Sequence, residues 1–384
     1  MAADSFTEVS SQSWFSRLGG AFTGILIGLI LFVVSFPLLF WNEGRAVKRY
    51  KTLKEGGGAV VSVAADRVEG ANSGKLIHVT GKAETAATLS DSIFGVSANA
   101  IKLKRVVMMY QWEETQNKET RKKLGGGTET VTTYSYTKTW ADSPISWASF
   151  GQPEGHENPG TMPYEPTTLV ADTVTLGAFT LSPSLVGKIS NFEALAVGGD
   201  TGLPQVIEES AMFHDGGFYI GANPASPAIG DVQVTFRVAK PTEVSVIASQ
   251  VGESFEPYRA KVGGTIELLQ TGIHSADAMI ERAQQSNKIL TWVLRVVGFV
   301  VMLLGLNMIS KPLSVLADVL PFLGTIVGAG TGIIAFLIAA CLSLITIAIA
   351  WIVYRPLIGI ILLVAAVGLT LAIRGKLKSA KATA

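Results

Sequence analysis

Three apolar runs set nearly end to end, residues 289–310, 322–354 and 355–373, leave this chain few ways to fold. A bilayer core of ~30 Å is crossed by roughly 20 apolar residues of helix at ~1.5 Å of rise each. The first and last runs fit one crossing apiece. The middle run exceeds what one straight crossing needs, which predicts a tilted helix or one that begins outside the core. A fourth run, residues 20–41, stands alone near the N-terminus. It is too long for the apolar core of a cleaved signal peptide, and no small-x-small site follows it, so it reads as a retained signal anchor. The expectation is an α+β membrane protein with four transmembrane helices. A large β-rich domain, residues 42–288, is inserted between the first and second.

Composition narrows the function classes. The chain has 384 residues, is 48% hydrophobic and carries a formal net charge of +1. Nucleic-acid binding calls for a clustered basic face, and nothing in this balance supplies one. The single cysteine, Cys341, falls inside a membrane run, so no disulfide staples the domain. His78, His156, His214 and His274 are scattered without metal-ligand spacing. Neither a metal nor a cofactor is expected.

Residues 1–19 read as a cytoplasmic tail, loose in solvent over its first 16 residues. Within the first crossing Gly20, Gly24 and Gly28 fall at i, i+4 and i+8. Such a small-xxx-small ladder lets another helix backbone approach closely, although Gly is also simply common in membrane helices. Pro37 removes a donor and predicts a kink. Trp41 is an interfacial anchor, and the basic run Arg45, Lys48, Arg49, Lys51, Lys54 can snorkel to lipid phosphates. Gly56, Gly57 and Gly58 then predict the end of that helix.

Between residues 59 and 271 the apolar period changes to two, with β-branched and aromatic enrichment. Residues 104–114 and 131–141 predict a long hairpin whose polar tip, 115–130, is mobile. Asp215-Gly216 signals another hairpin. Residues 152–166, rich in Pro and Gly, predict an ordered loop or inter-lobe seam, and a short helix is expected near 185–196. GKLIHVTGKAE and GDVQVTFRVAK are faintly alike, which suggests two related β lobes.

From Ser275 the period is helical again, with Ser275 as cap and Asp277 in the first turn. No breaker follows, so this helix is expected to enter the second crossing as one rod. Residues 311–321 predict an interfacial helix, with Leu313, Leu316 and Leu320 on one face and Lys311, Ser314 and Asp318 on the other. Gly324, Gly328 and Gly332 form a second ladder in the third crossing. Arg295 is the one formal charge clearly inside a membrane run. It either snorkels outward or pairs with Glu43, with Arg355 brought to the same level by the turn between crossings three and four.

Four crossings put both termini on one side. The tail at 374–384 carries Arg374, Lys376, Lys378 and Lys381 without an acid, which places the termini in the cytoplasm and the domain outside it. The basic run after Trp41 argues the other way, but long translocated domains are weakly governed by charge. NEGRAVKRYKTLKEG after the first crossing, TWVLRVVGFVVMLLGLNMIS in the second, the Leu-rich connector and the aromatic-Arg-Pro-Leu corner at 354–357 resemble the LUMA (transmembrane protein 43) family. The resemblance implies a four-pass protein that self-associates and helps organise other membrane proteins at the endoplasmic reticulum and inner nuclear membrane. A bacterial member would sit in the inner membrane with a periplasmic domain, and the Ala/Gly-rich composition leans that way. The resemblance brings no catalytic residue.

Three function classes are therefore in play. The first is a non-enzymatic, self-associating scaffold in the bilayer, a homo-oligomer that binds other membrane proteins through its β-rich exoplasmic domain. The second is an oligomeric channel or transporter. It is disfavoured because crossings one, three and four lack ionisable groups, and only Ser343, Thr346 and Asn307 add polarity to the runs. The third is a membrane-tethered enzyme, for which His156 between Glu154 and Glu157, and His214-Asp215, are the candidates. Turn-rich surroundings explain both as surface polarity.

Overall fold

A computed structural model describes residues 4–198 and 211–357. The strongest local instruction is the apolar helix. Helix α1, Trp14–Ala59, begins where the Ser13 side chain accepts from the Ser16 N–H, and it runs 46 residues through Pro37 without breaking. Helix α3, Ala276–Ala317, starts on the predicted cap, Ser275, and is one rod of 42 residues from the domain onward. Helix α4, Pro321–Tyr354, opens with proline at its first turn, where the missing N–H costs nothing. All three are long and apolar enough to cross a membrane. The fourth expected crossing, 355–373, lies outside the described residues beyond Leu357.

The period-two segments between α1 and α3, joined by one strand that precedes α1, form two main sheets among the described residues. The first has the order β1-β4-β3-β7-β6-β5, with β1 Ser5–Gln12, β3 Lys102–Lys122, β4 Thr128–Ala141, β5 Ala211–His214, β6 Gly217–Ile220 and β7 Val232–Ala239. In the second, β8 Thr242–Val251 pairs antiparallel with both β2 Leu76–Glu84 and β9 Leu268–Thr271. The two faintly similar segments thus contribute β2 and β7, one to each sheet.

Each sheet buries its own core. Phe94, Val107, Phe218, Val234 and Phe236 lie under the first. Ile77, Val79, Phe179, Val246 and Phe255 lie under the second, with Leu185 and Val186 from the short helix α2, Pro183–Lys188. A third cluster, Leu53, Ile247, Ile266, Met279 and Ile280, joins α1 and α3 to the second sheet. No flexible linker separates domain from helices. The β5–β6 turn takes Asp215 at φ 48° and Gly216 at φ 72°, the left-handed pair that a two-residue hairpin requires.

Three expectations need correction. The N-terminal segment is not loose, because residues 5–12 form β1, paired antiparallel along β4 from Ser5↔Ser135 to Gln12↔Thr128. The hairpin tip is short, since β3 and β4 stay paired out to Lys122↔Thr128. Residues 311–317 continue α3 through Pro312 instead of forming a separate interfacial helix. Leu313, Leu316 and Leu320 are exposed there.

Candidate functional site

The most structured polar cluster sits where the domain meets the apolar helices. Glu43 on α1 is fully buried and Arg295 on α3 partly so, and they meet through two hydrogen bonds: Arg295 Nε donates to Oε1 at 2.6 Å and Nη2 to Oε2 at 2.9 Å. Trp351 on α4 donates its indole N–H to Glu43 Oε2 at 2.7 Å. The guanidinium carbon lies 4.7 Å from the Trp292 ring centre and 5.6 Å from that of Trp351. One carboxylate thus ties three helices. Arg355 is not among its partners and stands 5.8 Å over the Trp351 ring instead.

A second layer lies one turn nearer the domain. Asn42 Nδ2 donates to the Thr291 carbonyl, Arg45 donates to Asn287 Oδ1 and Thr291 Oγ1, and Asn287 Nδ2 donates to the Ala46 carbonyl. Beside these layers opens a cavity of about 870 Å³ between α1, α3 and α4, lined by Lys51, Lys54, Lys288 and Arg355 with Tyr50, Trp292 and Tyr354. Cations and aromatic rings at this level are suited to phosphate oxygens of lipid headgroups.

The glycine ladders divide unequally. Gly28 is the contact point of the first: a Cβ there would fall 2.7 Å from the Gly305 carbonyl oxygen, and one on Gly305 would fall 2.7 Å from the Phe32 nitrogen. Gly24 faces Met308 loosely, and Gly20 meets nothing within 4 Å. In the second ladder Gly324 abuts Asp318, Gly328 faces Ser314 at 3.6 Å, and Gly332 reaches only Asn307 Oδ1 at 4.0 Å.

Asp318, read from the sequence as part of the polar face of an interfacial helix, is instead a buried anchor. It is buried at the end of α3, 2.5 Å from Arg17 Nη2 and 2.6 Å from Lys122 Nζ of the hairpin. Arg17 also donates to the Gly126 carbonyl, the Gly125 N–H donates to Val319 O, and Trp14 Nε1 donates to Val315 O. The only sequence signal is an acid next to a membrane run, because its partners lie 301 and 196 residues away. The hairpin tip therefore reaches the far ends of α1 and α3, opposite the domain.

The histidine candidates are committed locally. Buried His156 stacks on Tyr136 at 3.8 Å, faces the Gln152 carbonyl through Nδ1 and lies 3.1 Å from Asp4 through Nε2. It pins the start of β1 to the base of the hairpin. His214 lies 3.3 Å from Asp215 in its own turn. Among the described residues no group of three His, Cys, Asp or Glu side chains could hold a metal ion.

Comparison with known proteins shows the family. A family model described as Transmembrane protein 43 matches residues 109–356. Transmembrane protein 43 of Mus musculus is 37% identical over 91% of this chain and 89% of its own, and that of Homo sapiens is 37% identical over the same shares. The homolog from Drosophila melanogaster is 29% identical over 88% of this chain. No solved structure matches. The chain belongs to the transmembrane protein 43 family.

Proposed function

We propose that this chain is a non-catalytic, self-associating membrane protein that organises membrane-protein assemblies through its β-rich domain. The observation that carries this reading is the junction itself. Two membrane rods enter the domain without a joint and are locked by a buried carboxylate shared between Arg295 and Trp351. Catalysts keep polar groups poised in a cleft. Here the buried polar groups are spent on fixing the domain's orientation to the bilayer, as a platform requires. The domain faces the exoplasmic side, which is the lumen of the endoplasmic reticulum or nuclear envelope, or the periplasm in a bacterial membrane. The test is the mass of the protein in lipid nanodiscs. A defined homo-oligomer is expected, and a monomer at every concentration overturns the reading.

A further inference from the structure

The outer half of the β3–β4 hairpin, with β1 beside it, is a three-stranded sheet exposed along all of β1 and along residues 115–122 of β3, and the loop at Phe150 and Gly151 covers only its root. Its tip lies against Arg17 and Asp318, beyond the apolar part of α1, while its root is in the domain at the other end. From Glu43 to Arg17 the helix rises ~39 Å at ~1.5 Å per residue. From Trp112 to Lys122 the strand advances ~33 Å at ~3.3 Å per residue. The sheet thus runs beside the membrane-spanning segments, over about the thickness of a bilayer core of ~30 Å.

This sheet is polar and has two unpaired edges. On one side β1 ends the sheet, and every one of its residues is exposed. On the other, β7 leaves β3 at Met109, and the Asn158 side chain caps the Trp112 peptide by bonding both its N–H and C=O. Among the described residues no strand pairs with that edge beyond it. An open edge is not tolerated in hydrocarbon, where each unpaired backbone group costs several kcal/mol, so β structure at this depth must close on itself.

One position on each edge is complementary in charge, Glu8 on β1 and Lys118 on β3, while the outer half of β3 also carries Glu113, Glu114 and Glu119. The β1 edge carries Asp4 and Glu8 and no cation. On the β3 edge Arg121, Lys122 and Lys123 are each engaged by a carboxylate within the chain, whereas Lys118 forms no ion pair among the described residues. Glu8 is level with Thr132, and Thr132 with Lys118, so both charges lie at one depth and on one face of the sheet.

The geometry points to a second copy of this chain as the occupant of these edges: β1 of one protomer pairs with the outer half of β3 of the next. The repeat closes a ring of strands with Glu8 beside the neighbour's Lys118. Both strands run toward the tip, so the contact between protomers is parallel. This rests on the self-association proposed above and names its interface.

Disulfide trapping tests it. Within one chain Ser10 is level with Thr120 across β4, about 9.6 Å away at two strand spacings, beyond the ~7 Å reach of a disulfide. In a C341S background, S10C/T120C is therefore expected to give a ladder of cross-linked multimers in nanodiscs on oxidation, and each single variant is not. Charge reversal is the second arm. E8K or K118E alone should weaken assembly about twofold to fivefold, and the two together should restore it. An oligomeric wild type with no ladder and no rescue overturns the edge contact and leaves self-association standing. A monomeric wild type overturns both.

Discussion

Glu43 has no contact with water, so its loss leaves the Arg295 guanidinium charged beneath the domain without an anion. Breaking one side of such a pair costs about 3–5 kcal/mol, well above a surface pair. Glu43→Gln should lower the melting temperature sharply. In a double-mutant cycle with Arg295→Met the two should couple strongly, and additive losses would show that the bond is absent in the membrane. His78 supplies a separate, pH-dependent term. Its Nε2–H donates to the His274 carbonyl and its Nδ1 accepts from Ser62, while burial pushes its pKa below the usual value. The unfolded chain then binds the proton more readily than the folded one. The stability this site contributes is present above about pH 6.5 and is lost as pH falls toward the folded value. Melting temperature should drop from about pH 7.5 to about pH 5.5, and less so in His78→Gln.

At the scale of elements, helix contact and hairpin anchoring set the behaviour. Gly28→Leu places a branched side chain against the Gly305 backbone and should destabilise the α1–α3 pair by about 1–3 kcal/mol, whereas Gly20→Leu, facing open space, should be neutral. Asp318→Asn removes the charge that holds Arg17 and Lys122, so trypsin should cut more quickly at Lys122 and Lys123. Equal cutting rates would mean the tip is held otherwise. The helices and the Asp215-Gly216 turn were legible in the sequence because period, caps and turn chemistry are local. The Glu43–Arg295 pair was legible because a charge inside an apolar run asks for a partner and few acids are near. The reach of the hairpin was not. Residues 115–130 have the polarity of a loop, and a sheet with no core beneath it lacks the alternation that marks a strand. Nor could β1 be read, because its partner lies more than a hundred residues away and it buries no side chain of its own.

Taken whole, the molecule joins the two ends of its membrane rods twice, once through the domain core at Leu53 and Met279 and once through the hairpin at Asp318. If the rods alone mediated assembly, cutting the hairpin would leave the oligomer intact. Proteolysis at Lys122–Lys123 in nanodiscs is instead expected to dissociate it, which mass measurement before and after cleavage reads directly. The double fastening also fixes a length. A bilayer that thins makes its helices tilt, and tilting shortens their projection along the membrane normal. A strand paired along its whole length cannot shorten to match. The hairpin and the rods therefore behave as the two arms of a calliper, so a change in bilayer thickness reaches the domain as a change of angle.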